Sequence, residues 1–145
     1  MEDFSQNEGF IWFDGELVDW KDTKIHVLTH GLHYASSVFE GERCYEGKVF
    51  REIEHTKRLH HSANTLGFEI PYSVEEICEI RRIVLEANNI KNGYIRPVSW
   101  RGSEMMGISA QKNTIHLAVA AWEWPSYYTP EARLKGIKLE LSKWK

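Results

Sequence analysis

Two cysteines are all that this 145-residue chain carries, and Cys44 and Cys78 stand 34 residues apart without C-x-x-C spacing. That excludes a disulfide framework and a cysteine metal knuckle, and it fits free thiols packed as small hydrophobes in a reducing cytoplasm. No apolar run approaches the roughly 18 residues of a membrane span. The opening MEDFSQNEGF has neither a basic start nor an apolar stretch, so it does not read as a secretory leader. Positive charge is also scarce: a net charge of −3 offers no basic face for nucleic acid and no polybasic membrane anchor. Glycine-rich phosphate loops of the GxGxxG or GxxxxGK kind are missing, as is a G-x-S-x-G nucleophile elbow. His26, His30 and His33 have no cysteine or acidic residue at ligand-like spacing within their segment, so no metal site is expected.

What remains is an ordinary globular composition, 42% hydrophobic and 27% charged, in a chain the size of one domain. Aromatics make up 12% of it, six of them tryptophans, which points to a core or pocket built on rings.

FIWFDGELVDW reads as a hairpin, because Asp14-Gly15 between apolar runs suits a turn with two positive φ angles. KIHVL reads as a third short strand or an extended arm, HGLHYASSVF as a short helix, and GERCYEGKVFRE as a second hairpin turning at Glu46-Gly47. IEHTKRLHHSANTLG predicts a helix with Leu59, Ala63 and Leu66 on one stripe and Gly67 ending it. Ser73 and Glu76 form a capping box opening the next helix, with Tyr72 placed to staple onto Ile77. Its buried face is expected to hold Ile77, Ile80, Val84 and Ala87. GYIRPVSWRG and NTIHLAVAAWEW are strands, and Pro97 marks the first as an edge or a bulge. YYTPEARLKG is a helical connector and GIKLELSKWK a last strand, with Lys143 and Lys145 reading as solvent-facing. The expected fold class is α+β, an antiparallel sheet packed with two main helices. The expected layout is a loose stretch 1–8, a small domain 9–129, and a connector with one further strand over 130–145.

Four segments, taken in order, carry a resemblance: HGLHYASSVFEGERCY from His30 to Tyr45, TKRLHHSA around Arg58, GYIRPVSW, and AAWEWPSYY. Together they resemble the N-terminal part of the branched-chain amino-acid aminotransferases, pyridoxal-phosphate enzymes of fold-type IV. By spacing alone Arg58 reads as a surface helix arginine paired with Glu54, and Arg96 as one half of a cross-strand ion pair. The resemblance implies instead that Arg58 grips the cofactor phosphate, a task suited to a planar fork of donors. It implies that Tyr94 and Arg96 face the substrate, which strand alternation permits by putting both on one face. Arg96 would then take the side-chain carboxylate of glutamate, while aromatic walls accept leucine, isoleucine or valine. Phe39, Trp124 and Tyr127 match further pocket positions. Tyr34 and Ile108 match residues that reach in from a neighbouring subunit, which makes the expected assembly a homodimer or higher.

The resemblance also implies what lies elsewhere. The lysine that carries the cofactor is expected about a dozen residues past Lys145, on the far side of a strand belonging to a second domain. The chain alone is therefore expected to hold pyridoxal phosphate weakly and to catalyse no transamination. The implied reaction moves the amino group of a branched-chain amino acid to 2-oxoglutarate in the cytoplasm. A D-amino-acid aminotransferase or aminodeoxychorismate lyase of the same fold-type, or a non-catalytic dimerisation module, are the competing readings.

Overall fold

The computed structural model describes residues 3–124 and 128–143. Its first hairpin joins β1 (Phe10–Phe13) to β2 (Glu16–Asp19), with Asp14 and Gly15 both at positive φ in the turn as their sequence demands. A five-residue helix α1 (His30–Tyr34) follows, closed by Ala35 in the left-handed region. Next come β3 (Ser37–Phe39), β4 (Glu42–Tyr45) and β5 (Lys48–Val49). Two long helices, α2 (Glu52–Thr65) and α3 (Val74–Ala87), lead to the longest strands, β6 (Gly93–Arg101) and β7 (Ile115–Trp122). A short α4 (Pro130–Lys135) comes last.

Among the described residues the strands form one antiparallel sheet in the order β2-β1-β7-β6-β4-β5, with β3 beside β4 on the same edge of β6. Both α2 and α3 pack on one face of it. Leu59 and Ala63 of α2 and Ile77 and Val84 of α3 lose all exposure against Ile95, Leu117 and Val119 of the sheet. The capping box is present: the Ser73 hydroxyl accepts from the Glu76 amide, and the Glu76 carboxylate accepts from the Ser73 amide. Tyr72 packs edge-on against Trp12 beside that core.

Several expectations are corrected. Pro97 is neither at an edge nor at a bulge. Strand β6 is paired on both sides, and its register against β3 and β4 runs on unbroken, Phe39 facing Val98 and Glu42 facing Ile95 three residues further along. The missing amide costs nothing because it points at the interruption between β3 and β4, where the Pro97 carbonyl still accepts from the Glu40 amide. Of the two readings of Lys24–Leu28, the strand is not formed, because His26 closes a turn: its carbonyl accepts from the Thr29 amide and its ring Nδ1 from the Leu28 amide. The helix at His30 is shorter than expected, and Ser37–Phe39 pair with β6 instead. Leu66 falls past the end of α2 and is exposed, and Leu85 rather than Ala87 completes the buried face of α3.

The two ends differ from expectation as well. Phe4–Gln6 make a 3-10 turn, and Phe4 is pinned: its ring meets Trp122 and its carbonyl accepts from the Trp20 indole. At the other end residues 136–143 form no strand, and Leu139 and Leu141 are exposed. An extended segment lacking a neighbour has no ladder to join. Among the described residues no helix is long and apolar enough to cross a membrane.

Candidate active site

The face of the sheet away from α2 and α3 is where the chemistry collects. Alternation along β6 sends Ile95, Pro97 and Ser99 towards the helices and leaves Tyr94, Arg96 and Val98 on the other face. Arg96 donates through Nη2 to the Tyr94 hydroxyl at 2.9 Å, and its guanidinium lies 4.3 Å from the centre of the Phe39 ring. Tyr94 in turn sits 5.0 Å from the Trp122 ring and 4.7 Å from the Trp124 ring. The Trp124 carbonyl is tied down by Arg43, which donates to it at 3.0 Å. Gly41 is required here: a Cβ would stand 2.1 Å from the Tyr94 hydroxyl.

Arg96 has no carboxylate partner among the described residues, and its Nε is buried without a hydrogen bond. It forms part of the wall of an apolar hollow of about 480 Å³, shared with Ile11, Phe13, Leu32, Trp100 and Ala118. A partly dehydrated cation beside apolar walls and aromatic faces calls for an anion to complete it. The structure thus brings together Phe39, Tyr94, Arg96 and Trp124. Tyr127 lies outside the described residues.

Arg58 stands on α2 and reaches the link between β3 and β4 from the helix side. Its partner is not Glu54, which pairs with Arg51, but Glu40. Nε donates to Glu40 Oε1 at 2.6 Å and Nη2 to Oε2 at 2.5 Å, and His55 Nδ1 lies 2.8 Å from the same Oε2. Burial works to raise the Glu40 carboxyl, but hydrogen bonds from Arg58 and then His55 outweigh it and hold the group below its ordinary range. Phe39 and Glu40 are neighbours whose side chains leave opposite faces of one strand. The Arg58 cluster and the Arg96 cluster therefore share a backbone junction at residues 39–41.

Tyr34 and Ile108 belong to a different corner. The Tyr34 ring stacks on His30 at 4.5 Å and its hydroxyl donates to the Met106 carbonyl. His30 is held between the Ser36 hydroxyl and the Gly107 carbonyl, one residue before Ile108, which is 88% exposed. Asn113 pins the loop's base by donating to the Gly102 and Met105 carbonyls. Among the described residues neither Tyr34 nor Ile108 makes a hydrogen bond or ring contact with Arg96 or Tyr94, so these bonds do not join all the expected pocket positions within one chain.

Sequence reasoning overlooked Glu40, Gly41, His55 and Trp122. The detectable signal was the tripeptide Phe39-Glu40-Gly41: an acid directly after an apolar strand segment needs a cationic partner if it is buried, and a following glycine marks close approach.

With this geometry in view, the chain belongs to the class IV aminotransferases, whose family description, Amino-transferase class IV, matches residues 37–144. Its named relatives within that class are branched-chain enzymes. The branched-chain-amino-acid aminotransferase of Pseudomonas aeruginosa is 45% identical over 142 residues, covering 95% of this chain and 46% of that protein. The Escherichia coli K12 enzyme of the same name is 41% identical over 140 residues, 93% of this chain and 45% of the relative. Among solved structures, an Escherichia coli branched-chain amino acid aminotransferase superposes with a TM-score of 0.81 at 41% identity, over 87% of this chain and 43% of its own. The T.th. branched-chain amino acid aminotransferase with pyridoxamine 5'-phosphate gives 0.77 at 41% identity, covering 81% and 41%. The chain spans a little under half the length of the relatives it matches.

Proposed function

We propose that this chain supplies the phosphate-holding arginine and one wall of the substrate pocket in a branched-chain amino-acid aminotransferase. Pyridoxal phosphate, when bound, supplies the electron sink for amino-group transfer, and the protein's part is placement and electrostatics. Arg58 suits the phosphate: its guanidinium is fixed on one edge by Glu40, and Nη1 is unbonded among the described residues. Arg96, Tyr94, Phe39 and Trp124 suit a substrate that alternates between an acidic and an aliphatic side chain. The aliphatic one lies against rings; the acidic one meets the guanidinium. Discrimination among leucine, isoleucine and valine would be shallow, since a methylene changes binding by ~1–3 kcal/mol.

The reading leans on one observation, the uncompensated Arg96 cation beside an apolar hollow. Tyr34 and the Ile108 loop, exposed and apart from that cation, would complete the pocket of a second copy in a homodimer. The remaining cofactor contacts, the lysine among them, are assigned to the half of the relatives' length that this chain does not match.

The test is Arg96→Leu in the enzyme that carries this chain, with two keto acids of different charge. KM for 2-oxoglutarate should rise at least about tenfold, the loss of a hydrogen-bonded charge, while KM for 4-methyl-2-oxopentanoate stays within about twofold. Equal damage to both keto acids would remove Arg96 from the role of carboxylate reader.

A further inference from the structure

We infer that Glu40 is a positioning residue for Arg58, clamping its guanidinium so that a single edge is presented to the cofactor phosphate. The inference rests on the phosphate reading of Arg58 and adds to it a residue whose side chain touches neither substrate nor cofactor.

The sites of the two groups make the case. Arg58 is 64% exposed, a long side chain that by itself would sample many rotamers. Glu40 is 4% exposed, and its backbone is fixed by the amide bond to the Pro97 carbonyl in the interior of the sheet. A buried carboxylate in that place needs donors, and it finds Arg58 Nε at 2.6 Å, Arg58 Nη2 at 2.5 Å and His55 Nδ1 at 2.8 Å. Two parallel bonds to a planar group set its orientation as well as its location. The Nε–Nη2 edge is consumed by Glu40, and Nη2 also lies 3.3 Å from His55 Nδ1, so the outward donors are those of Nη1. A phosphate then meets a fork already held in place, and the ordering entropy that a free arginine loses on binding has been lost on folding. His55 acts on the same carboxylate oxygen and keeps Glu40 from swinging away from Arg58.

A carboxylate beside a phosphate site also carries an electrostatic disadvantage, since its charge repels the dianion. The geometry and the charge therefore make opposite forecasts for Glu40→Gln. If clamping dominates, phosphate affinity falls; if repulsion dominates, it rises.

The experiment titrates pyridoxal phosphate and phosphate-free pyridoxal into the apo form of the enzyme that carries this chain, following absorbance. Wild type should bind the phosphorylated ligand more tightly, and Arg58→Lys should shrink that gap because a point charge offers no fork. Glu40→Gln should weaken pyridoxal phosphate about tenfold through the loss of a charge-assisted bond, with pyridoxal changed by no more than about twofold. A merely structural role would weaken both ligands alike, and a merely repulsive one would tighten the phosphorylated ligand; either result overturns the inference. Should Glu40→Gln fail to fold, Glu40→Asp keeps the charge, shortens the reach and is expected to show the same selective loss. No gap in wild type would instead refute the phosphate reading of Arg58 itself, which separates the two failures.

Discussion

Two arginines on opposite faces of the same sheet behave in opposite ways. Arg81 of α3 is 0% exposed, as is its partner Glu42 on β4; Nη2 donates to Glu42 Oε1 at 2.6 Å and Nη1 to the Thr56 hydroxyl at 2.8 Å. It ties α3 to β4 and α2, and it is a structural part of the covered face. Arg96, on the open face, has rings and a phenol for company and no carboxylate. Both leave Nε without a hydrogen bond, so the difference is one of charge. Arg81 has a buried carboxylate against its guanidinium and holds elements together, whereas Arg96 has none and lies beside an apolar hollow, where the proposed substrate carboxylate would supply it.

The largest expected effect is on the covered face. Glu42→Ala strands a buried guanidinium and should cost about 3–5 kcal/mol in urea unfolding. Replacing both partners, Arg81→Met with Glu42→Leu, should recover most of that, because the buried Glu42 Oε2 and Arg81 Nε lack partners even in wild type. A single variant costing under about 1 kcal/mol would show that the pair is a surface-grade bridge and dissolve the contrast. The open face should respond more mildly. Gly41→Ala places a methyl against the Tyr94 hydroxyl, where overpacking costs about 1–3 kcal/mol and the bond from Arg96 to Tyr94 must shift. Unchanged tyrosine fluorescence and an unchanged melting temperature would mean that the Tyr94 ring is free to move aside.

Much of the covered face was legible in the sequence because its rules are local. Asp14-Gly15, the Ser73–Glu76 box and the Leu59–Ala63 and Ile77–Ile80–Val84 stripes each depend on residues within one turn or one helix. The pairing of Tyr94 and Arg96 on one face was equally readable, since strand alternation needs no partner. What escaped depends on the rest of the fold. Pro97 reads as an edge residue until one knows that its missing amide points at the β3–β4 interruption. Arg58 has an acid at i−4, yet the fold gives it Glu40, 18 residues earlier in the chain. Phe4 looked idle, and it is held by Trp20 and Trp122 from two other segments.

The finest test sets two neighbouring acids against each other. Glu40 and Glu42 both point to the helix side of the sheet, facing Arg58 and His55 of α2 in one case and Arg81 of α3 in the other. For Glu42, burial raises the carboxyl and the hydrogen bond from Arg81 opposes without cancelling it, so its folded value lies above the ordinary one. For Glu40 the bonds from Arg58 and His55 prevail over burial, and its folded value lies below. Linkage then gives opposite signs. Glu40 contributes stability that is present above its unfolded value of about 4.3 and is lost as pH falls through its lower folded value. Glu42's contribution is full below about 4.3 and is lost as pH rises through its higher folded value. Urea unfolding of wild type, Glu40→Gln and Glu42→Gln between roughly pH 7 and pH 3.5 reads this directly. The advantage of wild type over Glu40→Gln should shrink with acidification, while its advantage over Glu42→Gln should grow. If both differences move the same way, the two carboxylates share one environment, and the clamp on Arg58 loses the feature that distinguishes it from a buried structural pair.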